Sequence, residues 1–293
     1  MHVLDRIAAA PISWGICEAP GWGLQLPPRR VLGEMRDLGI TATELGALGW
    51  LPTDATELHT LLGEFGLSLI GGFVPLVLHR ADRREQFVAD ARAAARTLAD
   101  GGAKHFVTAV VSSNEAWERP AISSDEWALV FEGLLVVEDI CAEHGLVQVL
   151  HPHVDTLFET GAELDRFLNS SPVKFCLDTG HLFIGGADSV VLANTHRDRV
   201  GLVHIKDVDG AVAQRLLNDE LTLMTATMAG LFPAAGQGDA PIAATIAALE
   251  EQMFDGWYVL EQDVALTDGE PPSGEGPVVG VRASIDYLRS LAA

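Results

Sequence analysis

The sequence predicts a (β/α)₈ barrel on the strength of three observations. Short apolar runs alternate with amphipathic helical patterns along all 293 residues. Eight such strand-then-helix units can be placed, which is the number that closes a parallel barrel. The first strand leads into Trp14-Gly15-Ile16-Cys17, which is not the glycine-rich phosphate turn of the alternative, a doubly wound sheet. We therefore expect one barrel domain spanning residues 1–293.

Caps and breakers place the units in the first half of the chain. Strands are predicted at 8–14, 42–45, 67–72 and 104–111. Pro27-Pro28 opens the first helix, and Asp54 is a good N-cap for the second, which ends at Gly66. An alanine-rich helix over 84–99 and a long helix from Ser124 complete these units.

The second half repeats the same alternation. Strands are predicted at 146–150, 173–177, 200–205 and 257–261, and helices at 161–169, 188–196, 241–253 and 279–291. A longer segment after the seventh strand is partly helical over 211–231 and ends in a glycine-rich loop at 235–239. No linker, low-complexity tract or short repeat divides the chain, which favours a single domain.

Charge and composition exclude several classes of partner. The 19 basic and 41 acidic residues give a formal net charge of −22, which argues against nucleic acid, since phosphates are neutralised by Lys and Arg. No apolar run could span a bilayer, and no signal-peptide pattern opens the chain. Cys17, Cys141 and Cys176 are far apart and odd in number, which favours a reducing compartment. We expect a cytoplasmic protein with no membrane or nucleic-acid partner, and leave a homo-oligomer open.

Four residues of metal-ligand type end the last four predicted strands. They are His151, Asp178, His204 and Glu261. Consecutive strand ends are neighbours at the carboxyl mouth of a barrel, so these side chains can reach one ion. Two imidazoles and two carboxylates suit Mn²⁺, Co²⁺, Zn²⁺ or Fe²⁺ and leave positions for a substrate. Any one of them alone is more simply a capping or hydrogen-bonding group, but four on consecutive strands predict a divalent metal site.

Two further histidines lie beside these residues. His153 is two residues after His151, so on an extended chain it points to the same side. His181 follows Asp178 by three residues on the turn. Either could orient a ligand or contact substrate, and both are candidate catalytic residues.

Lys206 and Glu44 complete the candidate catalytic set. Lys206 is two residues after His204 and could enter the mouth as a cation or proton donor. Its structural alternative is a salt bridge to Asp207 or another carboxylate. Glu44 ends the second strand, across the barrel from the predicted metal, where it could be a base, an acceptor for a substrate hydroxyl or a solvated charge.

Three residues are weaker candidates for substrate binding. Trp14 and His79 follow the first and third strands and could either contact the substrate or simply pack. Gln262 stands next to Glu261 at the end of the eighth strand and is assigned to substrate binding together with Trp14 and His79.

The motifs at these strand ends resemble the xylose-isomerase-like sugar isomerase/epimerase superfamily. They are Glu44-Leu45-Gly46, His151-Pro152-His153, Asp178-Thr179-Gly180-His181, His204-Ile205-Lys206-Asp207 and Glu261. Within it the chain is most similar to the inosose dehydratase branch, through Thr156, Leu182, Val208 and the Gly230-Leu231-Phe232 stretch before Gly236-Gln237-Gly238-Asp239. Many members carry glutamate where His151 stands, and the dehydratase branch would have histidine there. At the eighth strand the chain departs from that branch, with one Glu where Glu-x-Glu-Gln-Asp is typical.

The resemblance implies metal-dependent chemistry beside the ketone of a polyol. Loss of the neighbouring proton and of a β-hydroxyl is dehydration. Return of the proton to the other face of the same carbon is epimerisation, and its return to the carbonyl carbon is isomerisation. Dehydration of an inosose-type ketone is the prediction, and a sugar isomerase or epimerase and a non-catalytic sugar-binding barrel stay open. The loop at 234–241 has no Lys or Arg, so an unphosphorylated small-molecule polyol or keto-sugar is expected.

Overall fold

Eight parallel strands close into a barrel. The computed structural model describes residues 3–19, 21–115 and 118–291. Each strand pairs with the next along the chain, and the first pairs with the eighth. The strands are β1 (Ile7–Ala9), β2 (Ala42–Glu44), β3 (Ser68–Leu76), β4 (His105–Val110), β5 (Val147–Leu150), β6 (Lys174–Asp178), β7 (Val200–Ile205) and β8 (Tyr258–Leu260). The predicted (β/α)₈ barrel is confirmed.

Helices connect the strands. They are α1 (Pro28–Asp37), α2 (Ala55–Phe65), α3 (Arg84–Asp100), α4 (Ser124–Glu143), α5 (Gly161–Ser170), α6 (Thr179–Ile184), α7 (Ser189–Thr195), α8 (Gly210–Leu217), α9 (Leu223–Met228), α10 (Ile242–Glu251) and α11 (Pro277–Leu291). Within the described ranges, none of them has the length and apolar character needed to cross a membrane.

The capping signals act as the sequence suggests. The Asp54 side chain accepts a hydrogen bond from the Glu57 backbone N–H and begins α2, and Gly66 ends that helix with φ 69°. Ser123 and Glu126 form a capping box at the start of α4. These local bonds satisfy N–H groups that a helix leaves unpaired at its start, so the helix limits follow the sequence closely.

Two elements differ from the sequence expectation. The first strand ends at Ala9, because Pro11 opens a 3₁₀ helix over Pro11–Trp14. The turn expected after β6 is instead the short helix α6, whose N-cap is Asp178. One carboxylate oxygen of Asp178 accepts the N–H groups of Gly180 and His181, both at 2.8 Å. A residue at the end of a strand therefore also starts a helix.

Small and branched side chains fill the barrel interior. The buried interior cluster comprises Ala8, Ala10, Ala42, Ile70, Val107, Val149, Cys176, Leu202 and Val259. Side chains two residues further along a strand point to the same face. The residue two positions beyond an interior side chain therefore faces the carboxyl mouth of the barrel.

Candidate metal centre

The four predicted ligands converge at the carboxyl mouth of the barrel. Each lies two residues beyond an interior side chain, at the ends of β5 to β8, and all four are buried. One donor atom from each of His151, Asp178, His204 and Glu261 lies within 4.8 Å of the others. Nε2 of His151 is 3.4 Å from Oδ2 of Asp178, and Nδ1 of His204 is 2.6 Å from Oε2 of Glu261. The structure brings the predicted set together.

Unpartnered polar atoms in this cluster fit a metal ion. Among the described residues, both ring nitrogens of His151 and Oδ2 of Asp178 are buried without a hydrogen-bond partner. A buried polar atom left unpaired costs about 1–3 kcal/mol, so such atoms are uncommon without a ligand. The other oxygen of Asp178 is occupied by two backbone N–H groups, which orients Oδ2 toward the cluster. Two imidazoles and two carboxylates form a donor set that a divalent transition metal accepts.

The negative carboxylates of the cluster would also be stabilised by a bound cation. Burial opposes protonation of His204, but Cys176 and the carboxylates of Glu261 and Glu44 raise its pKa well above the usual value. Burial opposes ionisation of Glu261, but His204 and Lys206 hold its pKa well below the usual range. A proton on His204 offsets the negative carboxylates, and a metal ion can take over that role.

Glu44 contacts the far side of the His204 ring. Its Oε1 lies 3.3 Å from Nε2, whereas Nδ1 of the same ring faces Glu261 and Asp178. A carboxylate on the nitrogen that does not face the ligand cluster fixes the tautomer and the orientation of the imidazole. Glu44 also lines the adjoining cavity. Its contact with His204 is a role that the sequence did not predict.

Lys206 is a buried cation at the edge of the cluster. Its Nζ is 2.7 Å from Asp263 Oδ1, 3.0 Å from His181 Nε2, and 3.4 Å from Glu261 Oε2. It also lies 4.8 Å from the centre of the Phe232 ring. Burial lowers its pKa, but Asp263 and Glu261 outweigh this and raise it above the usual value. Asp263 was missed in the sequence, although it stands two residues after Glu261 and so shares its direction.

Asp207 has a different role from the salt bridge considered for it. Its two oxygens accept the backbone N–H groups of Gly236, Gly238 and Ala240 at 2.7, 2.9 and 3.1 Å. A Cβ at Gly238 would lie 2.5 Å from Asp207 Oδ1, so the loop can approach this closely only with glycine there. Asp207 therefore anchors the glycine-rich loop.

His153 and His181 form a close pair of neutral rings whose planes are tilted by 36°. Their centroids are 3.8 Å apart. Burial is the main cause that lowers the pKa of His153 to about 3, and it holds that of His181 well below its usual value. Nδ1 of His153 is 2.6 Å from the carbonyl oxygen of Val154, which places the ring proton there and makes Nε2 the basic nitrogen.

A cavity adjoins the cluster. Its polar lining comprises Glu18, Glu44, His153, Glu261 and Asp263, and its apolar lining includes Trp22 and Phe73. Of the described residues that line it, none is arginine or lysine. Glu18 was not a sequence candidate, although it follows the first strand within ten residues. The mixture of apolar walls with a few polar groups suits a small hydroxylated molecule.

The three residues assigned to substrate binding are not among the described residues that line this cavity, and their assignment stays a prediction. Trp14 is fully buried in the core, and its Nε1 donates to Glu34 at 2.9 Å. His79 is buried after β3 and is not part of the cavity lining. The Gln262 side chain donates to the Phe232 carbonyl at 3.1 Å and packs against Gly280 of α11. Gln262 points outward because its two neighbours along the chain both point into the mouth.

Comparison with known proteins agrees with this architecture. The model of the xylose isomerase-like TIM barrel family matches residues 32–291. An inosose dehydratase of Geobacillus kaustophilus (strain HTA426) is 32% identical over 298 residues, covering 98% of this chain and 94% of that protein.

Two solved structures share the fold at lower identity. The probable 3-DHS dehydratase AsbF from Bacillus anthracis has a TM-score of 0.72 and 16% identity, covering 97% of this chain and 98% of that one. The IOLI protein with a binding zinc atom has a TM-score of 0.71 and 14% identity, covering 98% of each chain. The chain therefore belongs to the xylose isomerase-like TIM barrel family, and it is an enzyme of that family.

Proposed function

We propose that this enzyme dehydrates a keto-polyol of the inosose type. The observation that carries the proposal is the buried set of His151, Asp178, His204 and Glu261, which adjoins a cavity lined by His153 and has the buried cation Lys206 beside it. The 32% identity to an inosose dehydratase over nearly the whole chain supports this reaction and substrate.

The four ligands would hold Mn²⁺, Co²⁺, Zn²⁺ or Fe²⁺. Such an ion, when bound, polarises the ketone oxygen of the substrate and stabilises the negative charge that develops there. The IOLI protein, which shares this fold, has a binding zinc atom in its structure, and this supports a metal in the present chain. All the other steps are assigned to side chains of the chain itself.

His153 removes the proton next to the ketone. It lines the cavity, and the hydrogen bond from its Nδ1 to the Val154 carbonyl leaves Nε2 as the nitrogen that can accept a proton. Lys206 was the other candidate for this role, but its pKa is raised and Asp263 holds its Nζ at 2.7 Å, so it stays protonated. Lys206 acts instead as a fixed positive charge that stabilises developing negative charge on the substrate oxygens.

The cavity favours a neutral substrate. Glu18, Glu44, Glu261 and Asp263 line it, and they accept hydrogen bonds from hydroxyl groups. The described lining offers no arginine or lysine that would bind a phosphate or a carboxylate group. An unphosphorylated polyol fits these surroundings.

The test is to incubate the metal-loaded protein with 2-keto-myo-inositol. Dehydration yields a conjugated dione, which is followed by ultraviolet absorbance, and chelator-treated protein is the control. Exchange of solvent deuterium into keto-hexoses is measured in parallel by mass spectrometry. Deuterium exchange without any dione would replace the dehydratase proposal by the isomerase or epimerase alternative.

We propose a cytoplasmic location from the cysteines. Cys17, Cys141 and Cys176 are all buried and free. Three unpaired thiols are typical of a reducing compartment.

A further inference from the structure

Glu18 lies at the entrance of the cavity beside the candidate metal centre. It belongs to the loop that follows the 3₁₀ helix Pro11–Trp14, and its side chain is half-buried. It lines the inner cavity together with Glu44, His153, Glu261 and Asp263. It also lines an outer cleft, which shares Cys17 and Glu18 with the inner cavity. A molecule that reaches the centre from this cleft passes the Glu18 carboxyl group.

Loss of a hydroxyl group needs an acid, because hydroxide is a poor leaving group. The histidine pair does not supply one, since His153 is assigned the removal of the C–H proton and His181 Nε2 is held 3.0 Å from Lys206 Nζ. Lys206 is bonded to Asp263 at 2.7 Å and is not among the described residues that line the cavity.

The carboxylates next to the metal cluster are already engaged. Oε1 of Glu44 contacts His204 at 3.3 Å, and Asp263 is paired with Lys206 at 2.7 Å. Glu261 is bonded to His204 and belongs to the ligand set. Glu18 is the remaining acidic group of the described cavity lining, and its carboxyl group has no hydrogen bond to another described residue.

The surroundings of Glu18 favour its protonated form. Burial is the main cause that raises its pKa to about 8, and the carboxylates of Glu261, Glu44 and Asp263 add to the rise. From its own loop the Cys17 thiol lies beside it, and burial keeps that thiol protonated by raising its pKa. At neutral pH most molecules therefore carry a proton on Glu18.

We propose that Glu18 is the general acid of the reaction, which binds the departing hydroxyl group of the substrate and protonates it as the C–O bond breaks. The proposal rests on the dehydratase function proposed above. It assigns to Glu18 a direct contact with the substrate and makes it a catalytic residue.

The step is balanced in atoms and electrons. His153 takes the proton from the carbon next to the ketone, and the electron pair of that C–H bond forms the new C=C bond. The C–O bond to the β-hydroxyl breaks, its electron pair leaves with the oxygen, and Glu18 supplies the proton that makes the leaving group water. Glu18 is left as a carboxylate and regains a proton from solvent, while His153 releases one. No oxidant or reductant is required.

The test compares wild type with Glu18→Gln, which keeps the size and polarity of the side chain but cannot donate an acidic proton. We expect kcat for 2-keto-myo-inositol to fall by about 100-fold or more, with little change in KM, since general acids contribute about 10²–10⁴-fold. Glu18→Asp keeps an acid on a shorter arm and should be intermediate. In wild type, kcat should decline as the pH rises through about 8, because Glu18 loses its proton there.

A substrate analogue separates an acid from a merely structural residue. With fluorine in place of the departing hydroxyl, no proton is needed, since fluoride leaves readily as an anion. Glu18→Gln should eliminate fluoride at a rate close to that of wild type. Asp90→Asn is the matched control, because Asp90 lines the outer cleft but not the inner cavity. It should leave turnover of both compounds unchanged.

The outcomes distinguish this proposal from the function on which it rests. If wild type forms the dione and Glu18→Gln does so equally fast, Glu18 is not the acid. A Glu18→Gln variant that fails equally with the fluoro analogue also overturns the proposal, since the defect is then not in protonation. If metal-loaded wild type forms no dione at all, the dehydratase function itself is overturned.

Discussion

At the scale of single residues, alternation along the chain decides which side chains reach the mouth of the barrel. Glu261 and Asp263 point inward after β8, while Gln262 between them turns to α11. The same rule places Lys206 on the side of His204. A residue next to a ligand in sequence is thus a poor candidate for the site, and one two positions away is a good one.

Replacing the buried cation at Lys206 should separate chemistry from metal binding. Lys206→Met removes the charge that stabilises the substrate oxygens, and we expect kcat to fall by about 10²–10³-fold. Metal content, measured by mass spectrometry of the purified protein, should stay at the wild-type level, since Lys206 is not in the ligand set. Gln262→Ala is the matched control from the outward-facing neighbour. A wild-type kcat for Lys206→Met would reduce the lysine to a structural ion pair with Asp263.

Glu44 should act on the metal through His204. Because it contacts the nitrogen of His204 that faces away from the ligand cluster, Glu44→Ala should weaken metal affinity by about 10–100-fold. Glu44→Gln can still accept the hydrogen bond and should lose less. Affinity is measured by competition with a chelator, without reference to activity. Unchanged metal affinity with a raised KM would mean that Glu44 contacts only the substrate.

At the scale of elements, side chains that bind backbone N–H groups set the loops around the site. Asp54 accepts one backbone N–H group at the start of α2, and Asp178 accepts two at the start of α6. Asp207 accepts several from the glycine-rich loop and so fixes its conformation. A carboxylate that accepts several buried N–H groups stabilises one loop conformation over the many that glycine allows.

Removal of the charge at Asp207 should destabilise the protein more than loss of an ordinary helix cap. Asp207→Asn weakens four charge-assisted hydrogen bonds to backbone N–H groups at a buried position. We expect a loss of about 3 kcal/mol in the free energy of unfolding. Asp54→Ala, which removes one exposed cap, should cost about 1 kcal/mol. Urea unfolding of the two variants measures both, and equal costs would contradict the anchoring role of Asp207.

At the scale of the whole molecule, the candidate metal centre joins the last four strands of the barrel. Its ligands come from β5 to β8, so an ion bound there connects residues up to 110 positions apart in the chain. A ligand that binds only the folded state stabilises it in proportion to the logarithm of its concentration.

Addition of Mn²⁺, Co²⁺ or Zn²⁺ should therefore raise the midpoint of thermal unfolding. At 100 times the dissociation constant, the gain is about 2.7 kcal/mol. Asp178→Ala removes one ligand and should abolish the rise, while its own fold persists because the residue lies at the mouth and not in the interior layers. Differential scanning calorimetry with and without metal checks this. An equal rise in Asp178→Ala would place the metal elsewhere.

The sequence by itself determined the barrel, most of its helix starts and the set of four candidate ligands. Each depends on local information: a cap such as Asp54 bonds an N–H three residues away, and a strand end such as Asp178 is recognised from the apolar run before it. The family resemblance rests on the same short motifs, and the comparisons confirm it.

Only the tertiary structure decided which partners those residues have. Lys206 pairs with Asp263, 57 positions away, and not with the adjacent Asp207, and Trp14 is held in the core by Glu34. Glu18 reaches the cavity because its loop folds over the mouth of the closed barrel. These contacts depend on strand register and barrel closure, which bring distant segments within a few ångströms of each other. Composition and periodicity along the chain do not predict which distant segments come into contact.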